Sequence, residues 1–339
     1  MRKKEKKQCL IIAEVAQAHD GSLNLAHAFI DAIAKTGVDA IKFQTHIASA
    51  ESTKEENWRV KFSKQDKSRF DYWKRMEFSE AQWLGLKKHA IQKRLKFISS
   101  PFSVEAFELL KRVGVFAWKI ASGEAGNKLM YERILQSRIP VLLSTGMSPL
   151  TEIDAFVKNA KKHKCDLTIM QCTSMYPTPA QKIGLNIIPF FRSRYHCKVG
   201  LSDHSGKIFP GIAAAFLGIS ALEIHVILDK DMAGPDACVS LIPDELKKLA
   251  EGVRFIESAV SSPVNKDTLA KEMSGLRKLF TKSIVARKGL IKGSILRSED
   301  LAVKKPGTGI PAACLSEVLG KKLLRAKRAD EIIKKTDLQ

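Results

Sequence analysis

Between residues 8 and 260 the chain keeps alternating short apolar runs with longer helical patterns, and few architectures accommodate that rhythm. The apolar runs fall at 9–15, 40–45, 96–99, 116–121, 141–144, 167–172, 198–201 and 221–228. Helices are predicted at 23–35, 80–93, 104–113, 129–136, 151–163, 208–217 and 243–258. Strands separated in this way are parallel and covered outside by the helices. Eight of them predict an α/β fold, a (β/α)8 TIM barrel. The alternative is a doubly wound open sheet. No Gly-x-Gly-x-x-Gly follows the first run, which weakens the dinucleotide-binding form of that alternative.

Polar residues collect where a barrel would use them. Glu14, Lys42 with Gln44, Lys119, Ser122, Ser144, Ser202 with His204, and His225 stand at or just past the ends of the apolar runs. Barrel enzymes carry their chemistry on that C-terminal face. Lys42 between Ile41 and Phe43, and Lys119 between Trp118 and Ile120, should point opposite to their neighbours, into the barrel mouth. In Ala221-Leu222-Glu223-Ile224-His225 the same alternation puts Glu223 and His225 on one face. His204 and His225, raised from neighbouring strand ends beside carboxylates, suit a divalent metal with open positions. Two core histidines held by hydrogen bonds are the bland alternative.

The remaining chain is organised around this barrel. With 339 residues, one large domain plus a small one is expected: a barrel over 1–260, a polar linker over 261–276 and a compact module over 277–339. Residues 49–79 form a long insertion after the second strand, with Trp58, Phe62, Phe70, Tyr72 and Trp73, suited to an active-site cover or to a partner-contact loop. Six scattered cysteines, none in a Cys-x-x-Cys pair, argue against a disulfide framework or structural zinc. Cys172 reads as a small core residue rather than a reactive thiol. The net charge of +21 is spread along polar faces without a recognition motif, so a solvated basic surface attracting anionic metabolites is expected, and no specific nucleic-acid binding. No apolar run is long enough to span a membrane, and residues 1–7 lead into a strand rather than a signal-peptide core, so a cytoplasmic protein is expected.

Taken together, several motifs carry a family resemblance. They include Ile11-Ile12-Ala13-Glu14 with His19, Ile41-Lys42-Phe43-Gln44-Thr45, and Ser99-Ser100-Pro101-Phe102-Ser103. Trp118-Lys119-Ile120-Ala121-Ser122-Gly123-Glu124, Gln171-Cys172-Thr173-Ser174-Met175-Tyr176-Pro177, Gly200-Leu201-Ser202-Asp203-His204 and Gly234-Pro235-Asp236 follow in order. The chain resembles the sialic acid synthase family, phosphoenolpyruvate-condensing enzymes that join a TIM barrel to a small β-rich antifreeze-like (SAF) domain.

That resemblance implies a residue set. His204 and His225 would bind a divalent metal, Mn2+ or Mg2+. Lys42, Ser100, Lys119, Ser122, Ser144 and Ser202 would hold phosphoenolpyruvate. Gln44, Phe102, Tyr176, Asp236 and Lys305 would address an N-acylated aminohexose such as N-acetylmannosamine, with Glu14 handling protons beside the two histidines. A domain-swapped homodimer is implied, in which the position of Lys305, commonly arginine, reaches the N-acyl group. Ala18 replaces an asparagine common in the family. Two rivals remain: a Schiff-base aldolase on the same barrel, with Lys42 or Lys119 as nucleophile, and a basic non-catalytic nucleic-acid-binding protein.

Overall fold

The computed structural model describes residues 8–339; the segment 1–7, expected to lead into the first strand, lies outside them. The chain divides into two compact units, one ending at Ser261 and the other spanning Ser262–Gln339. In the first, eight strands close into a parallel barrel in chain order. They are β1 (Leu10–Ala16), β2 (Ala40–Thr45), β3 (Lys96–Pro101) and β4 (Trp118–Ile120). The barrel continues with β5 (Val141–Ser144), β6 (Leu167–Cys172), β7 (Lys198–Asp203) and β8 (Ala221–His225), which pairs with β1. Closure rules out the doubly wound sheet.

Strand alternation builds the site layer by layer. Outward residues such as Ile11, Ala13, Ile41 and Phe43 are fully buried beneath the surrounding helices. Burying each large side chain of this kind contributes about 1.5–3 kcal/mol. Inward residues Ile12, Ala40, Ile98, Leu142, Met170 and Ala221 form a separate apolar plug inside the barrel. Two residues beyond Ile12, Ala40, Ile98, Leu142 and Ala221 the same inward face becomes polar at Glu14, Lys42, Ser100, Ser144 and Glu223, with Ser202 two residues beyond Gly200 on β7. The plug therefore closes the bottom of a polar cavity. Gly200 belongs to this packing, because a Cβ there would lie 2.3 Å from Met170 Sδ and 2.5 Å from the Ala221 carbonyl.

Within the barrel unit, two helices of eight residues or more were not expected. Ile187–Tyr195 starts at Asn186, a favoured cap residue type whose side chain makes no capping bond here, and carries Pro189 in its first turn. Arg69–Met76 lies within the 49–79 insertion and opens on a capping box of Ser68 and Asp71. Tyr72, Trp73 and Met76 from this helix form a small core against Trp58, Phe62 and Phe70. The insertion is thus a packed element rather than a bare loop.

The second unit has its own small core of Ile284, Leu296, Leu301, Leu323, Ile333 and neighbours around two antiparallel strands, β9 (Ser283–Ala286) and β10 (Leu301–Lys304). The segment expected as a polar linker carries helices at Lys266–Glu272 and, continuing past it, Ser274–Phe280. Asn265 caps the first by accepting from the Asp267 and Thr268 amides. Neither helix buries a residue, so no apolar stripe marked them in the sequence. No helix among the described residues is long and apolar enough to cross a membrane.

Candidate active site

A cavity of about 450 Å3 opens above the apolar plug, lined from strand ends and from the 49–79 insertion. Its floor is an ionic cluster. Lys42 Nζ contacts the Glu14 carboxylate, donates to Ser100 Oγ at 3.2 Å, and stands 3.8 Å from Glu223 Oε1. Lys119 Nζ donates to Ser144 Oγ at 2.8 Å and approaches the same Glu223 oxygen at 3.4 Å. Ser202 Oγ donates to that oxygen as well, at 3.3 Å. Register explains the convergence: β1 places Glu14 opposite both Lys42 and His225, and β7 places Ser202 opposite Glu223.

Charge on this floor is balanced against desolvation. Burial pushes the Lys42 pKa down to about 7, with Glu223 opposing the shift and Lys119 adding to it. For Glu223, burial works against the charge, but the neighbouring cations, Lys119 and Lys42 first, outweigh it and its pKa is lowered. Glu223 Oε2 has no hydrogen-bond partner among the described residues. Lys42 and Lys119, balanced by the Glu14 and Glu223 carboxylates, stand with the Ser100, Ser144 and Ser202 hydroxyls as a set of donors suited to an anion.

The histidines stand beside it. His204 and His225 have ring centroids 5.2 Å apart. His204 Nδ1 donates to the Thr173 carbonyl at 3.0 Å, which turns Nε2 toward Tyr176 Oη at 3.3 Å. Burial, reinforced by His204 and Lys42, holds the His225 pKa well below the ordinary imidazole range, so this ring is neutral. No group of three His, Cys, Asp or Glu side chains able to hold a metal occurs among the described residues. A backbone-anchored imidazole beside a neutral one nevertheless fits a divalent cation whose other positions are filled by substrate oxygens and water.

The insertion covers the mouth. Arg59 Nη2 donates to Asp236 Oδ1 and to the Pro235 carbonyl, both at 3.1 Å, and its guanidinium lies 4.3 Å from the Tyr176 ring centre. Asp236 in turn sits 3.9 Å from His225 Nδ1. Arg59, Tyr72 and Trp73 of the insertion line the cavity, as a cover would.

Of the expected site residues, Lys42, Gln44, Ser100, Phe102, Lys119 and Ser122 line the cavity, as do Ser144, Tyr176, Ser202, His204, His225 and Asp236. Glu14 does not; it is fully buried, accepting from the Ala16 amide at 2.8 Å while its carboxylate contacts Lys42. Lys305 belongs to the second unit, where its ammonium lies 5.2 Å from the Phe280 ring centre. Sequence reasoning put Glu223 on the His225 face without assigning it to the site, and it did not find Gln17, His46 or Arg59. Only strand register and the fold of the insertion bring these residues inward.

The chain matches the NeuB family over residues 29–265 and the SAF domain over 281–339. It is 33% identical over 335 residues to N,N'-diacetyllegionaminic acid synthase of Campylobacter jejuni, covering 97% of this chain and 99% of that one. It is 31% identical over 330 residues to human N-acetylneuraminate-9-phosphate synthase, covering 96% and 91%. Among solved structures, the N-acetylneuraminic acid (sialic acid) synthetase of Leptospira borgpetersenii in complex with citrate superposes with a TM-score of 0.70 at 30% identity, over 80% of this chain and 91% of that one. The chain belongs to the NeuB family of sialic (nonulosonic) acid synthases, an enzyme with a C-terminal SAF domain.

Proposed function

We propose that the enzyme condenses phosphoenolpyruvate with an N-acylated aminohexose, such as N-acetylmannosamine, to give a nonulosonic acid and phosphate. The observation that carries this reading is the cavity floor, where Lys42 and Lys119 converge with Ser100, Ser144 and Ser202 beside the Glu14 and Glu223 carboxylates. Those groups, with Ser122 beside them, bind the phosphate and carboxylate of phosphoenolpyruvate. Glu14 keeps the Lys42 ammonium in place. Tyr176, Asp236, Gln44 and Phe102 face the sugar, while Arg59 and the insertion exclude bulk water. Carbon 3 of phosphoenolpyruvate bonds to the sugar's aldehyde carbon, water adds at carbon 2, and phosphate leaves as the original C2–O bond breaks. A divalent cation, Mn2+ or Mg2+, held by His204 and His225 would supply Lewis-acid polarisation of the aldehyde oxygen when bound. We extend the proposal to a cytoplasmic homodimer, whose mass light scattering would read.

The direct test is phosphate release from phosphoenolpyruvate in the presence of Mn2+ and N-acetylmannosamine or a diacetamido-trideoxyhexose, with an EDTA control. Release that needs both sugar and metal supports the proposal. Absence of release with every N-acylated sugar from folded, metal-supplemented protein overturns it. A lysine with a pKa near 7 also suits a Schiff-base aldolase, so borohydride trapping with pyruvate is a necessary companion. The synthase reading expects no covalent lysine adduct.

Lys42 gives a second expected result. A bound anion favours its ammonium form and so raises its pKa from about 7. Phosphoenolpyruvate binding at about pH 8 should therefore take up a proton, with uptake approaching one and shrinking as the pH falls below 7. Calorimetric titration in buffers of different ionisation enthalpy measures it. Heats independent of buffer at that pH would remove Lys42 from the anion site.

A further inference from the structure

Away from the cavity, two histidines meet among the helices that surround the barrel. His27 belongs to the helix Leu23–Ile33, which follows β1, and His89 to the helix Glu80–Gln92, which follows the insertion. Both helices have defined starts: Ser22 Oγ accepts from the Leu25 amide, and Ser79 with Gln82 forms a capping box. Their apolar faces, with Ala26, Phe29 and Ile30 on one and Trp83, Leu86 and Ala90 on the other, are buried in the main core. His27 and His89 stand at the edges of those faces, half-buried. Their Nδ1 atoms lie 2.8 Å apart, with ring centres separated by 5.0 Å.

The surroundings set the tautomers. Asp31 lies one turn beyond His27, and its Oδ1 stands 3.3 Å from His89 Nε2. Lys93, one turn beyond His89, holds the same oxygen at 2.6 Å. An ionised carboxylate only accepts, so it favours the His89 tautomer with the proton on Nε2. His89 Nδ1 is then a lone pair, and His27 Nδ1 donates to it. A carboxylate that fixes the proton on one ring nitrogen and leaves the other free is the support that metal-binding histidines use. His27 Nε2 has no hydrogen-bond partner among the described residues, so it can take the ring proton when a cation needs Nδ1.

Nitrogen spacing selects the cation. With metal–nitrogen bonds of about 2.0–2.1 Å, nitrogens 2.8 Å apart subtend about 85–90° at the metal. That is the angle between neighbouring positions of a square-planar or octahedral ion, and it is too narrow for tetrahedral zinc. Each lone pair has to swing about 45° off the line joining the nitrogens, a ring rotation that a half-buried side chain can make. Two imidazoles without an oxygen ligand suit Cu2+ or Ni2+, with water in the other positions, and bind Mn2+ or Mg2+ weakly.

We infer that His27 and His89 form a transition-metal site outside the cavity, taking Cu2+ or Ni2+ in tetragonal coordination and cross-linking their two helices. Asp31 is the positioning residue behind His89. Neither histidine lines the cavity, so this site stands apart from the proposed reaction and its Mn2+ or Mg2+.

The test is Cu2+ titration of the full-length protein at about pH 8, read by electron paramagnetic resonance. His204→Ala is the background, because it removes the competing cavity imidazole. There the tightest-bound Cu2+ should give a tetragonal spectrum coupled to two nitrogens. Adding His27→Gln or His89→Gln should weaken that binding at least about tenfold, and adding Asp31→Asn should weaken it about tenfold, with native circular dichroism throughout. Saturating Cu2+ should raise the unfolding midpoint of the background by at least about 2 °C and leave that of the His27→Gln protein unmoved. A spectrum coupled to one nitrogen would show adventitious binding at a lone surface imidazole and overturn the site. So would a Cu2+ affinity unchanged by both His27→Gln and His89→Gln. An affinity unchanged in Asp31→Asn would overturn the positioning role of Asp31.

Discussion

Lys42→Met is expected to remove about 3–5 kcal/mol of folding stability and at least about 100-fold of turnover in one change. Lys42 is 2% exposed and its ammonium contacts Glu14, which is 0% exposed. Methionine fills the volume but leaves that carboxylate facing an apolar side chain, and burying an unpaired charge costs more than the pair contributes. Glu223 is affected less, because Lys119 still stands 3.4 Å away. Urea denaturation of the single variant and of Lys42→Met combined with Glu14→Leu separates the two effects. The double variant should recover most of the lost stability, since both charges are gone, yet release no phosphate. A single variant within about 1 kcal/mol of wild type would show that the pair is not what holds Glu14 in place.

The behaviour of Glu14 shows what a linear sequence conveys and what it withholds. Eight apolar runs ending in polar residues made the barrel, and the face carrying its chemistry, legible, because strand alternation is a local rule. The same rule correctly turned Lys42 and Lys119 inward. It could not say how deep each polar residue lies. Glu14 and Lys42 are register partners on adjacent strands, the register of β1 shifts just after Glu14, and the carboxylate contacts the lysine without lining the cavity. Glu223 is the converse case. Its importance comes from standing between β1 and β7 while two lysines from β2 and β4 reach across, a convergence set by barrel closure.

The insertion was harder still to read. Its aromatic residues announced a packed element, but not that Arg59 would reach Asp236, a residue 177 positions away. One local signal was available: Ser68 with Asp71 three residues on is a capping pattern, and it marks the start of Arg69–Met76. The helices at Lys266–Glu272 and Ser274–Phe280 offered only the Asn265 cap, since with no buried face they leave no periodic trace.

His204→Ala is expected to lower turnover at least about 1,000-fold and to weaken Mn2+ binding at least about tenfold, with the fold retained. The ring is anchored by its Nδ1 bond to Thr173 and by stacking on Tyr176 at 4.3 Å between centres, so the chain spends two interactions on aiming one nitrogen. A histidine kept only for packing would not need that aim. Losing the stacking and one backbone bond should cost about 1–3 kcal/mol of stability, within what a barrel of this size tolerates. His204→Phe is the companion variant, because it keeps an aromatic ring against Tyr176 while removing both nitrogens. Mn2+ titration by electron paramagnetic resonance, read beside phosphate release and circular dichroism, distinguishes the roles. If the site is a metal centre, both variants lose Mn2+ and turnover while keeping native dichroism. If His204→Phe binds Mn2+ normally and releases phosphate at the wild-type rate, the imidazole is a packing group and the metal assignment fails.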